Sequence, residues 1–363
     1  MNILTLGSDT KIFSVHSSTH ERSLQYAKLV DTYAVLVPGQ ADKEQTFEND
    51  LKAYSVAKGI GPITLYRLYR RAKQIVHDEK IHVISAQNPF EYALVGYLLK
   101  KKCGVRLHIQ EHGDFFSQTY WRNERILHFF RYYLGKFLLK KADSIRVVSK
   151  KIQKTLVGMG IPQEKIVSIP VFVPLENATL KSRDIARVCV CMIRLVMQKN
   201  PLMLLRAWKG VVEEKPDAKL LLVGSGPLKK QIQHAVKGLG IESSVEMHDW
   251  TDSPEAFYQK ADMNLLSSNY EGWGRVVIEA AAQGIPTVMT DVGCAGEFVQ
   301  NGVNGVVTPI GDDAAFSRAI IALMEDKSLY QIMKNNLAES LKTLPSQDQT
   351  AEKYMESWKK ALV

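Results

Sequence analysis

Short apolar runs alternate with longer amphipathic stretches from one end of the 363-residue chain to the other. In the first half the runs that read as strands are Asn2–Leu6, Tyr33–Val37, His82–Ser85, Arg106–Gln110 and Ile145–Val148. Amphipathic segments such as Ile63–His77 and Glu91–Lys102 separate them. In the second half the strand candidates are Val188–Ile193, Lys219–Val223, Val245–Met247, Met263–Leu266 and Pro286–Thr290. Helical stretches at Pro201–Glu213, Leu228–Leu239 and Arg275–Gln283 lie between them. Strands that alternate with helices predict parallel sheets with right-handed crossovers. The pattern therefore predicts an α/β protein with two doubly wound, Rossmann-like domains.

Residues 170–186 break the alternation. They carry Pro170 and Pro174, are largely polar and have no clear period. The expected division is a first domain at 1–170, a linker at 171–186 and a second domain at 187–345. A last segment at 346–363 follows, where Thr350–Leu362 reads as one amphipathic helix. At 45% hydrophobic and 23% charged residues, the composition is that of a folded globular protein. No apolar run approaches the ~20 residues that span a bilayer. The opening MNILTLGSD enters a strand at once, without a basic leader. The expected location is cytoplasmic, with peripheral contact to a membrane. Cys103, Cys189, Cys191 and Cys294 form no Cys-x-x-Cys pair and read as buried thiols in a reducing compartment.

Charge divides the chain unevenly. Residues 1–180 hold 26 Lys and Arg against 16 Asp and Glu, a net +10, whereas residues 181–363 hold 21 against 22. A basic half favours anionic partners. Tyr66–Lys73, Leu98–Lys102 and Lys136–Lys141 are cationic amphipathic stretches of the kind that rest on anionic lipid. Solvated lysines on core-facing helices would account for them equally. The aromatics of this half form no stacking array, which argues against nucleic acid as the partner.

Four stretches carry chemistry. In the first, Glu271-Gly272-Trp273-Gly274-Arg275-Val276-Val277-Ile278-Glu279 follows a strand and opens a helix. Glycines ahead of a helix let backbone amides approach an anion, and the helix N-terminus suits a diphosphate. Glu279 lies about one turn in, where its carboxylate could accept from a ribose, and Glu271 stands in the loop. In the second, Arg194 ends a strand and Lys199 precedes a helix opened by Pro201, a spacing that could clamp a leaving diphosphate. In the third, the turn Gly224-Ser225-Gly226-Pro227 follows a strand, but Lys229 occupies the third glycine position of a dinucleotide fingerprint. In the fourth, His112 sits past a strand end beside Gly113, placed to hydrogen-bond a substrate or act as acid or base. His108 alternates within that strand and reads as structural. Each stretch alone also fits a surface charge or a helix carboxylate with no ligand.

Taken together and in order, they resemble family 4 of the GT-B glycosyltransferases. Glu271 and Glu279 match its Glu-x7-Glu motif, with Trp273-Gly274 as the aromatic–glycine pair. Arg194-Leu195 and Lys199 match its Gly-Arg-Leu…Lys-Gly stretch, with Ile193 and Asn200 in place of the glycines. Gly224–Pro227, Asp291-Val292-Gly293 and Gly302-Val303-Asn304-Gly305 complete the pattern. Two positions depart from it: Leu6-Gly7-Ser8-Asp9 has one glycine where the family often has two, and Pro170-Val171-Phe172 replaces a Pro-Asn-Gly.

The resemblance implies two domains facing across a cleft and a UDP-, GDP- or other nucleotide-sugar donor. It implies retention of anomeric configuration and no active-site metal. Arg194 and Lys199 would bind the diphosphate, helped by the amides of Arg275 and Val276. Glu279 would bind the ribose, and Glu271 and His112 the transferred sugar. Gly7, Gly224, Gly226, Trp273 and Gly274 would line the donor. The acceptor expected is a glycan or lipid-linked glycan, in cell-surface polysaccharide or glycolipid synthesis. A nucleotide-sugar epimerase or phosphorylase-like enzyme of the same fold is the alternative, and a nucleic-acid-binding protein a remote one.

Overall fold

The run Asn2–Leu6 forms β1, and its alternate residues serve two different cores. Ile3 packs with Val35, Val37 and Val83 on one side, while Leu4 and Leu6 pack with Ala34, Leu36 and Ile84 on the other. A strand with period-two side chains that are apolar on both faces belongs inside a helix-covered sheet. The computed structural model describes residues 1–117, 119–174 and 187–363. It divides into one unit of Met1–Phe172 with Pro345–Val363 and another of Val173–Leu344. Residues 175–186, most of the expected linker, lie outside the described residues.

In the first unit β1 is joined by β2 (Thr32–Gly39), β3 (Lys43–Thr46), β4 (Leu51–Ala57), β5 (Val83–Ala86), β6 (Arg106–Glu111), β7 (Ser144–Val147) and β8 (Ile166–Ser168). Their order across the sheet is β3-β4-β2-β1-β5-β6-β7-β8. The sheet is parallel, as expected, except at β3. That strand pairs antiparallel with β4 at the edge, from Lys43 opposite Ser55 to Thr46 opposite Lys52. Its sequence Lys-Glu-Gln-Thr is mostly exposed, so no apolar run marks it. The helix Gly61–Asp78 covers one face with Leu68, Ala72, Ile75 and Val76. The C-terminal helix Gln347–Lys359 covers the other, opened by a capping box between Ser346 and Gln349. Trp358 is fully buried there, with Tyr26 and Tyr33 rings 5.6 Å away.

The second unit contains β9 (Val188–Met192), β10 (Lys219–Val223), β11 (Val245–His248), β12 (Met263–Leu266), β13 (Thr287–Thr290) and β14 (Gly305–Thr308). The order is β11-β10-β9-β12-β13-β14, all parallel. The chain runs outward from β9 through β10 and β11, then returns to the other side of β9 at β12. The strand order therefore reverses between β9 and β12, and the ends of such strands are where open parallel sheets bind ligands. The same reversal occurs between β1 and β5 in the first unit.

Three of the four cysteines are buried, and burial pushes Cys191 up to about 12. Cys103 corrects the expectation of four buried thiols. It ends the helix Glu91–Cys103, whose last turn carries Lys101 and Lys102 into solvent before Gly104 stops it at φ 76°.

His108 lies fully buried in β6. Its Nδ1 pairs with Ser85 Oγ at 2.9 Å and its Nε2 with Ser357 Oγ at 3.1 Å, which ties the C-terminal helix to the sheet. Burial, followed by the Arg146 charge, lowers its pKa from 6.5 to about 3. The unfolded chain thus takes up this proton first as pH falls. Stability is full above pH 6.5 and is lost progressively toward pH 3. His108 should contribute a loss of about 2–3 kcal/mol by pH ~4.5. Urea midpoints near pH 7 and pH 4.5 should therefore converge more closely in His108→Gln than in the native chain.

Candidate active site

In the second unit the loops after β9 and β12 are tied together by side chains. Asn269 N donates to Gln198 O at 2.8 Å, and Asn269 Nδ2 donates to Met197 O at 3.0 Å. Gln198 Nε2 donates to Tyr270 O at 3.1 Å, and Asn200 Nδ2 to Asn269 Oδ1 at 2.9 Å. Ser267 Oγ donates to Lys199 O at 3.0 Å. These bonds place the Lys199 ammonium directly on Glu271 Oε1, which also accepts from Ser268 Oγ at 2.7 Å. Both charged side chains are largely covered, 13% exposed for Lys199 and 8% for Glu271. Arg194 stays exposed, with Nη2 donating to Gln198 Oε1 at 3.0 Å.

Asn200 explains one departure from the family pattern. It adopts φ 47° and ψ 52°, the left-handed region that glycine or asparagine occupies readily. Its side chain then caps the helix Pro201–Glu214, accepting from Met203 N at 3.3 Å. Gly274 likewise takes φ 98° and leads into the helix Arg275–Ala282. The amides of Arg275 and Val276 belong to its first turn, whose donors have no partners within the helix. Glu279 lies on the second turn of that helix. Its Oε2 accepts from the Tyr258 hydroxyl at 3.3 Å, and its Oε1 is 3.5 Å from Arg275 Nη2. Burial, followed by the Glu279 charge, holds Tyr258 well above its usual range, so it stays a donor. Behind the loop, Gly293 at φ 55° touches it closely: an added Cβ would lie 2.4 Å from Trp273 O. Trp273 itself is buried.

The third stretch has a different structural reason from the one its glycines suggest. A Cβ on Gly224 would fall 1.8 Å from Ile193 O, and one on Gly226 2.4 Å from Leu195 O. The turn lies against the backbone around Arg194, with Leu195 N donating to Ser225 O at 2.9 Å. The glycines are required by that neighbouring strand extension.

In the first unit, His112 follows β6 and Gly7 follows β1, with β5 between those strands. Gly7 is crowded, since a Cβ there would meet Gln87 Oε1 at 2.4 Å. Arg146 on β7 is buried, and its Nη1 donates to His112 Nδ1 at 3.0 Å. Arginine can only donate, so Nδ1 accepts, the ring is neutral and the proton sits on Nε2. Although His112 has an exposed edge, the protein packed around it disfavours its charged form. Together with the Arg146 charge, this lowers its pKa to about 3. Beside it, burial and the neighbouring Asp114 push Glu111 well above the ordinary carboxylate range.

Family models cover most of the chain. The model of glycosyltransferase family 4 matches residues 15–177, and that of glycosyl transferases group 1 matches residues 176–340. The chain belongs to glycosyltransferase family 4. Poly(glycerol-phosphate) alpha-glucosyltransferase of Bacillus subtilis is 30% identical over 190 residues, 52% of this chain and 28% of that protein. N-acetyl-alpha-D-glucosaminyl L-malate synthase of Bacillus anthracis is 25% identical over 288 residues, 76% of this chain and 73% of that protein. The match thus spans under a third of the first relative and about three quarters of the second. Among solved structures, sucrose-phosphate synthase of Thermosynechococcus elongatus has a TM-score of 0.80 at 17% identity, covering 100% of this chain and 99% of that one. HepE of Anabaena in complex with UDP has a TM-score of 0.76 at 17% identity, covering 98% and 99%. The fold is the GT-B fold of this family.

Within this family member, Glu271, Lys199, Arg194, Gly274, Arg275, Val276 and Glu279 come from the two loops at the β9–β12 reversal and the helix that follows. Reasoning from sequence missed Ser268, Asn269 and Tyr258, which hold these side chains. It also missed Arg146, which sets the His112 tautomer. Asn200→Gly keeps the left-handed turn and should stay close to native stability. Asn200→Leu should cost about 2–3 kcal/mol from backbone strain and the lost cap. Denaturant midpoints of the two variants measure the difference.

Proposed function

We propose that the protein is a retaining glycosyltransferase that moves a sugar from a nucleoside-diphosphate sugar to a glycan or lipid-linked glycan acceptor. The observation that carries this reading is the Lys199–Glu271 pair, held by two interlocked loops beside the N-terminus of the helix Arg275–Ala282. That arrangement puts cationic and amide donors where a diphosphate would gather charge as it leaves. Preorganised donors of this kind act on the transition state without reorganising.

Lys199 and Arg194 take the diphosphate charge, with the amides of Arg275 and Val276. Glu279, steadied by Tyr258, accepts from ribose hydroxyls. Glu271 accepts from a hydroxyl of the transferred sugar, and in the first unit His112 presents its Nε2–H as a donor for a sugar hydroxyl. Trp273, Gly274, Gly224 and Gly226 shape the donor site within the second unit. No metal is assigned, because these groups supply the positive charge. A leaving phosphate oxygen takes the acceptor's proton as the new glycosidic bond forms on the same face. The names of the relatives support cell-surface glycan synthesis. One is the glucosyltransferase already described, and a solved structure of similar fold is the lipopolysaccharide outer core galactosyltransferase WaaB. The net +10 of residues 1–180 supports a lipid-linked acceptor at an anionic membrane.

A thermal-shift screen against UDP, GDP, ADP and their sugars should find one diphosphate that raises the melting temperature with concentration. With that donor, Lys199→Ala and Glu271→Ala should each lose on the order of 10²–10³ in transfer rate while remaining folded. Near-native rates in both would overturn the assignment. Proton NMR of the product should show the donor's anomeric configuration, whereas an inverted product would remove the retaining mechanism.

A further inference from the structure

The helix Ile126–Lys141 is held to the first unit by one side and bare on the other. Its buried positions are Gly135, Leu138 and Leu139. A Cβ on Gly135 would lie 2.8 Å from Phe116 and 2.9 Å from Phe90, so this side is packed closely. On the opposite side Ile126, Phe130, Tyr133 and Phe137 follow the i, i+4, i+7, i+11 stripe of one helix face. They are 78%, 64%, 53% and 46% exposed. Leu127 and Phe129 flank them. Six of the nineteen large hydrophobic residues exposed among the described residues thus sit in this one helix. Loose surface apolar residues are ordinary, but a continuous stripe marks an interaction face.

Charge identifies the partner. No Asp or Glu occurs from residue 126 to residue 141. At ~100° per residue, Lys136 and Lys140 fall on one edge of the stripe and Lys141 on the other. Lys136 sits over the Tyr132 ring at 5.2 Å and Lys141 over Phe137 at 5.6 Å. The helix Glu91–Cys103 extends the surface. Its Tyr97 meets Phe137 edge-on at 5.6 Å, and it adds exposed Leu98, Lys101 and Lys102. Aromatic and aliphatic tips with a lysine border are what a helix lying in an anionic lipid interface needs. The tips enter the acyl boundary and the ammonium groups meet phosphates.

We infer that this face inserts into the surface of an anionic bilayer, with Phe130 and Phe137 as its apolar anchors. The inference deepens the reading of a lipid-linked acceptor and rests on it. It replaces contact through charge alone with insertion at a named helix.

The test is co-sedimentation of the full chain with vesicles of phosphatidylcholine alone and of phosphatidylcholine with phosphatidylglycerol. The native chain should bind only the anionic vesicles. The double variant F130S/F137S, checked for folding by circular dichroism, should lose at least about tenfold in partitioning. Its nucleotide-dependent thermal shift should be unchanged, since neither residue belongs to the donor site. Equal binding of native and variant would reduce the contact to charge and overturn the inference. Absence of native binding would overturn it too, as would a native dimer that the variant dissolves. The thermal shift keeps the two readings separate. Vesicle binding without any nucleotide response removes the donor reading and leaves this one standing, and the reverse pattern removes only this one.

Discussion

The candidate site of the second unit is organised around one ion pair, Lys199 with Glu271, and the loops that bring its halves together. The partners are 72 residues apart in the chain and both are mostly covered. A covered pair is a weak source of stability, because desolvating two charges costs about as much as their attraction returns. Here Ser268 serves the same carboxylate oxygen, and the backbone around Lys199 is bonded to Ser267 and Asn269. The result is a cation and a carboxylate fixed at the reversal point of a parallel sheet. Fixed charge at that place is of more use to a polyanionic ligand than to the fold.

Ten of the strands were legible because two-sided burial writes itself as apolar runs, whereas β4, β8 and β14 were missed. The edge was not legible either: β3 is polar and exposed, so its pairing with β4 depends on a neighbour that local pattern cannot show. The same division holds at the site. Glu271 through Glu279 could be read because loop, glycine and helix are contiguous. Tyr258, Ser268 and Arg146 could not, since each acts through a contact formed only on folding. Gly224 and Gly226 were visible as glycines, but their reason is the carbonyls of Ile193 and Leu195. Asn200, a departure from the motif by letter, keeps its backbone geometry.

The excess positive charge of the first half also resolves into unlike parts. Around Tyr66–Lys73, Arg67, Arg70 and Arg71 line a groove of about 820 Å³ together with Lys43 and Glu44. There Arg71 pairs with Glu44, and Arg67 Nη1 donates to Ala57 O at 2.8 Å, so part of that charge is spent on the protein itself. The stretches Leu98–Lys102 and Lys136–Lys141 instead come side by side, with Lys100 Nζ donating to Lys141 O at 2.9 Å. This second group adjoins the apolar stripe from Ile126 to Phe137, so equal charge sits in unlike surroundings.

The role proposed for Lys199 is to hold a diphosphate. Calorimetric titration of the nucleoside diphosphate and its monophosphate into the native chain and Lys199→Ala tests it most directly. The native chain should favour the diphosphate, and the substitution should erase most of this preference while leaving monophosphate binding nearly intact. Equal loss for both ligands, or an unchanged preference, would contradict it.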